Sequence, residues 1–179
     1  MIANERVQNA IVVSVIIVAV VSSTFLVNNT SYYGGSYSLA ARMTVSLLDV
    51  QVSNIDHTND SINPSVRLTF NLATSSQAEG NVRLTFMGAA VTLNDDLLSY
   101  LIFSYVPPIE EQYLFPEFNE TYEMQSAATA ADIQAILDAD TSDIWSWTIE
   151  FRYSFIVFDE PGTITFRFID FNTTITTIV

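Results

Sequence analysis

The chain of 179 residues contains no cysteine and no lysine, one histidine, and only five glycines and five prolines. Without cysteine there are no disulfides, no thiol nucleophile and no cysteine metal site. An exported chain of this kind must stand on packing alone. Serine has no lysine partner and only His57 for a base, so no nucleophile arrangement is legible. There is no glycine-rich phosphate loop. The adjacent carboxylates Asp95-Asp96 and Glu110-Glu111 would face opposite sides of a strand, which argues against a catalytic pair. Taken together, no catalytic and no cofactor-binding residues are identified, and an enzyme is not expected.

Positive charge is also scarce. Six arginines against twenty acids leave a net charge of −14. Glu5 and Arg6 cancel, so the whole surplus lies beyond the first segment. A surface that acidic repels nucleic-acid phosphates and anionic headgroups, so no nucleic-acid partner is expected. It suits a saline or acidic exterior, or resistance to aggregation.

What is present begins with "AIVVSVIIVAVVSSTFLV", uncharged from Ala10 to Val27. As a helix its 18 residues span about 27 Å, close to the thickness of a bilayer's hydrocarbon core. Residues 1–27 are read as a signal anchor or a signal peptide. Cleavage before Thr24 would place Val21 and Ser23 at the recognised positions. A buried core helix is a third reading, though amphipathic periodicity is missing. Arg6 and the free amine mark the inner side. The membrane is thus one expected partner, and the rest of the chain is expected outside the cytoplasm. Residues 28–42, with "NNTSYYGGSYS", read as a polar, glycine-containing tether. Glycan acceptor patterns start at Asn28, Asn29, Asn59, Asn119 and Asn172.

Residues 43–179 read as strands. "VRLTF" occurs at 66–70 and again at 82–86. Each copy alternates apolar with polar residues, so the pair is expected to form two strands of one sheet, with Arg67 and Arg83 on the polar face. A repeat array would need further copies, and none appears. "MTVSLLDVQV" slips phase at Leu47-Leu48, which predicts a bulge. In "WSWTIEFRYSFIV", Trp145, Trp147, Ile149, Phe151, Tyr153, Phe155 and Val157 share a buried face. After the "DEPG" turn, Ile164, Phe166 and Phe168 alternate with Thr165 and Arg167, and Arg152 and Glu150 are expected to meet Arg167 across the hairpin. One amphipathic helix is predicted over 129–140, with Ile133, Ile136 and Leu137 on its stripe. The sum is an all-β protein: a β-sandwich of the immunoglobulin kind with one short helix, preceded by an N-terminal hydrophobic helix.

Three places invite a ligand. His57 with Asp56 and Asp60 is a weak calcium candidate that lacks the glycine and terminal glutamate of a known loop. Asp138, Asp140 and Asp143 crowd a helix C-terminus, where negative charge is unfavourable, so they mark either a cation site or an acidic surface. The loop "YVPPIEEQYLFPEFNETY" presents Tyr113, Phe115, Phe118 and Tyr122 among four glutamates. These rings either plug one end of the sandwich or form a contact patch for a partner.

The stretches "MTVSLLDVQVSNIDHTNDSINPSVRLTFNLATSS", "GNVRLTFMGAAVTLNDDLLS" and "AADIQAILDADTSDIWSWTIEF" resemble the late embryogenesis abundant water-stress and hypersensitive-response (WHy) domain family. The similarity spans Met43 to Phe168 and rests on Val50-Gln51-Val52, Asn63-Pro64, "VTLNDD" and the acid-rich helix feeding a tryptophan strand. Asn94-Asp95 stands where asparagine-glycine is usual. The resemblance implies a fibronectin-like sandwich, often tethered to a membrane, without enzymatic activity or cofactor. It implies a binding or protective module at the cell surface, whose partners are surface proteins. A second architecture is also similar: archaeal pilins and archaellins join an apolar helix to a glycosylated, cysteine-free sandwich. "NERVQNA" lacks their basic-small processing pair. In that reading the chain self-associates as a filament or layer subunit, with "SYSLAARMTV" offered as a donor strand.

Overall fold

A computed structural model describes residues 2–59, 62–129 and 131–179. Asp60, a member of the candidate calcium group, lies outside them. The chain opens with α1 (Ile2–Ala41), one unbroken helix of 40 residues, about 60 Å long. Its apolar window is wholly exposed, and this is a helix long and apolar enough to cross a membrane. The stretch read as a polar tether, 28–42, is helical to Ala41.

Strands follow as β1 (Met43–Ser53), β2 (Ser65–Thr74), β3 (Val82–Leu93), β4 (Asp96–Leu97), β5 (Phe103–Tyr105), β6 (Asn119–Ala127), β7 (Trp147–Val157), β8 (Thr165–Thr173) and β9 (Thr177–Ile178), with α2 (Ala131–Ser142) between β6 and β7. They form two sheets. One has the order β6-β2-β1-β9; the other has β4-β3-β7-β8, with β5 also paired to β3. The sheets face each other: Phe70 of β2 and Phe151 of β7 have ring centroids 4.4 Å apart. Leu68, Leu72, Leu84, Trp147 and Ile149 complete a continuous core. The architecture is therefore a β-sandwich with a long N-terminal helix.

The two "VRLTF" copies do not share a sheet. β2 belongs to one and β3 to the other, and residues 75–81 cross between them. Nor are their environments alike. The pairing of β3 with β7 slips between Leu84 and Phe86. After that bulge Met87, Ala89, Val91 and Leu93 point inward, and Phe86 moves to the outer face, where Arg152 Cζ lies 5.5 Å from its ring. The predicted bulge in β1 is present: register shifts between Leu47 and Asp49, and Leu48 is 50% exposed.

β8 departs from the expected phase. Its apolar residues change parity between Phe168 and Ile169. The pairings Phe151↔Ile169 and Ile149↔Phe171 fix the odd positions inward. Phe166 and Phe168 therefore face out, 56% and 61% exposed. The hairpin also places Glu150 opposite Asp170, Arg152 opposite Phe168 and Arg167 opposite Tyr153, so the expected Arg152–Glu150–Arg167 meeting does not form. Asn94 and Asp95 both adopt positive φ, 50° and 70°, between paired Leu93 and Asp96. That is the geometry of a two-residue hairpin turn normally served by asparagine-glycine.

α1 is clamped to the sandwich at its last turns. Leu39 is fully buried, and the Thr74 hydroxyl donates to its carbonyl at 3.0 Å. Ser36 Oγ accepts from the Asn81 backbone N–H at 2.9 Å. A Cβ on Gly35 would collide with the Glu79 carbonyl oxygen, and one on Gly80 would stand 2.5 Å from Ser36 Cα. Here two glycines permit a backbone approach no other residue allows. Tyr32, Tyr33 and Tyr37 gather around Phe158 at 5.9, 4.6 and 6.4 Å. Because Ser36–Ala41 is helical and docked, and Met43 begins β1, the stretch read as a donor strand is already used within its own chain.

Candidate functional site

The aromatic and acidic loop closes the flank where the two sheets part. β5 is the edge beside β3 and β6 is the edge beside β2, so residues 106–118 must cross from one sheet to the other. Leu84 and Leu114 backbone N–H groups donate to Gln112 and Val82 carbonyls, at 2.7 and 2.9 Å, which stitches the loop onto β3. Buried Gln112 donates its side-chain amide to the Pro107 carbonyl at 2.8 Å. A short 3-10 turn, Ile109–Glu111, presents both glutamates to solvent.

The four rings singled out in the sequence divide. Phe118 is 2% exposed and belongs to the core, so it is not a surface contact. Its ring floors the loop, 5.2 Å from Phe115. Tyr113 and Phe115 stay 45% and 49% exposed. Tyr122 is half-buried and its ring centroid is 5.7 Å from that of Tyr105, a pair that joins the two sheet edges. Tyr105, the first residue of the quoted stretch, is not among those four; in the structure it ends β5.

Together these rings wall a cleft of about 490 Å³, whose remaining lining is Glu110, Glu111, Glu120 and Thr121. Glu120 reaches it by strand period: it shares a face with Tyr122 and Met124. No cation lines the cleft among the described residues. Burial, and then the charge of Glu120, with smaller contributions from Tyr105 and Glu111, push the Tyr122 phenol up to about 12. The Arg83 guanidinium lies 5.9 Å from the centroid of the Tyr113 ring and is not part of the lining; it is held by Asp159 and by Gln112 Oε1 at 3.0 Å. Arg67 is a separate matter in the other sheet, paired with Glu123 at 3.7 Å and Gln125 at 3.2 Å.

The other candidates do not converge on a ligand. His57 Nε2 is 2.7 Å from Asp140 Oδ2, tying the loop after β1 to the end of α2. Asp56 instead accepts from the Thr58 hydroxyl and backbone N–H, which holds its carboxyl below the usual range. Asp138 accepts from the Gln134 amide at 2.7 Å. Asp143 takes φ 54° just past the end of α2, the left-handed position of a helix C-cap. Among the described residues no three His, Asp or Glu side chains stand close enough to hold a metal ion. The acceptor asparagines Asn28, Asn29, Asn59, Asn119 and Asn172 are all exposed. Asn28 and Asn29 sit on α1, directly after the apolar run.

No protein-family model matches this sequence, and no curated protein matches it. Solved structures resemble it distantly. A Bordetella pertussis protein assigned as ApaA is 12% identical over 74% of this chain and 93% of its own, with a TM-score of 0.44. An Archaeoglobus fulgidus protein is 7% identical over 73% and 94%, at 0.39. A protein assigned as late embryogenesis abundant is 10% identical over 88% of each chain, at 0.31. No site residue is carried over from any of them.

Proposed function

We propose that this protein is a non-enzymatic module held in a membrane by α1, with its sandwich outside the cytoplasm, serving as a binding or protective element at the cell surface. The observation that supports it is the continuity of α1. The exposed apolar run and the clamped turns belong to one helix. Only Asn28 to Ser31 separate the apolar run from Tyr32, where contact with the sandwich begins. The sandwich would thus stand a few ångströms above the bilayer in one fixed orientation. In this reading the sandwich is of the fibronectin or immunoglobulin kind, and its WHy-like strand pattern is a family relationship. The test is alkaline carbonate extraction of membranes with protease digestion of intact cells. Retention in the membrane with external cleavage of the sandwich supports the proposal; release by carbonate would overturn it.

A second reading makes the chain a subunit of a surface filament, in which apolar helices bundle and sandwiches coat the outside. The unbroken join favours it, as does the exposed apolar strip of Ile164, Phe166 and Phe168 at and along the edge strand β8. Electron microscopy of native membranes separates the two, since only the second yields filaments.

A further inference from the structure

We infer that the cleft between β5, β6 and the 106–118 loop is a binding site for an organic cation, a quaternary ammonium or guanidinium group. This cleft is formed whether or not α1 lies in a membrane. Tyr105, Tyr113, Phe115 and Tyr122 supply π surfaces around one concavity, and Glu110, Glu111 and Glu120 supply its charge. A space of about 490 Å³ is within the range of small-ligand sites. No arginine enters it to neutralise the three carboxylates, although Arg83 and Arg67 are used as internal ion pairs elsewhere. The carboxylates are too dispersed to cage a metal ion, and a small hydrated ion gains little from aromatic rings. A large, weakly hydrated cation gains from both rings and diffuse negative charge. The Tyr113 ring already meets one guanidinium, that of Arg83, whose Cζ lies 5.9 Å from its centroid. Burial raises the Tyr122 phenol most, and the charges of Glu120 and Glu111 in the cleft add to that rise.

The cation has two sources. One is a free small molecule. The other is a neighbouring copy, because Arg42 and Arg167 have no carboxylate within ion-pair distance among the described residues. Full-length protein in detergent micelles is titrated calorimetrically with tetramethylammonium chloride, against sodium chloride at equal ionic strength. Saturable single-site binding above the sodium control is expected. Glu111→Gln with Glu120→Gln should weaken it about tenfold, as should Tyr113→Leu with Phe115→Leu. Asp170→Asn, on the opposite flank, should leave it unchanged. Circular dichroism melts confirm that each variant folds. Absence of saturation overturns the inference. So does an equal loss in Asp170→Asn, which would make the effect a diffuse field, or full binding in the leucine pair. If tetramethylammonium also dissociates a self-associated form that Arg42→Gln and Arg167→Gln abolish, the natural occupant is a neighbour's guanidinium. If the protein binds as a monomer, it is a free cation.

Discussion

Ser36 on α1 accepts a hydrogen bond from the Asn81 backbone N–H at 2.9 Å, and Gly35 and Gly80 flank that contact with no side chain between helix and loop. This contact turns a polar, glycine-containing stretch into a helical stem. Local propensity disfavours two glycines in a helix by about 1 kcal/mol each. The docking of Leu39, the Thr74 hydroxyl on its carbonyl and the ring cluster around Phe158 outweigh that preference.

The two neighbouring glycines should therefore respond to alanine with opposite signs. Gly34 has nothing within 4 Å of an added Cβ. Gly34→Ala should raise stability by about 0.5–1 kcal/mol through helix propensity. Gly35→Ala should lower it by about 1–3 kcal/mol, since backbone atoms of Glu79 must move. Urea melts of the two variants in micelles check both signs.

Trp147 is 1% exposed, stacks on Trp145 and donates its indole N–H to the Thr176 hydroxyl at 2.8 Å. Trp147→Ala should cost about 3–5 kcal/mol in urea melts. A loss below about 1 kcal/mol would contradict its place in the core.

The aromatic loop should separate by residue. Phe118→Ala should cost about 3–5 kcal/mol, because that ring is buried. Tyr113→Ser with Phe115→Ser should stay within about 1 kcal/mol of the parent, because both rings are half in water. Thermal melts of the two variants beside the parent measure the contrast.

Tyr122 predicts an alkaline limit. Its phenol is raised to about 12 in the folded chain from an ordinary 10, so unfolded chains lose this proton first. Its contribution is complete below pH 10 and is lost as pH rises toward 12. Tyr122→Phe should flatten the fall in stability between pH 10 and 12. Some fall will remain, because burial also raises Tyr153.

Much of this architecture was legible from period alone. The tryptophan face of β7, the short helix α2 and the bulge at Leu48 all follow from where apolar residues fall. What period could not supply was partnership. Identical pentapeptides suggest two strands of one sheet, yet nothing in "VRLTF" says which sheet receives each copy. Phe86 left the core because a bulge at Thr85 shifted its parity, and Thr85 instead bonds Ser154 of β7. In β8 the apolar residues occupy both parities, and the hairpin register chose between them. At the cleft, the loop's rings and acids were visible, but their enclosure depended on Tyr105 and Tyr122 meeting across two sheets. That is a tertiary distance no local pattern encodes.

α1 and the sandwich form one rigid body, joined through Ser36, Leu39 and the rings around Phe158. A chain without cysteine allows clean spin labelling at introduced pairs. Double electron–electron resonance between Leu26→Cys on α1 and Leu97→Cys on β4, in lipid nanodiscs, reads their separation directly. One narrow distance distribution is expected, kept in Gly34→Ala and broadened in Gly35→Ala. A broad distribution in the parent chain would contradict it, because residues 28–42 would then be a flexible tether.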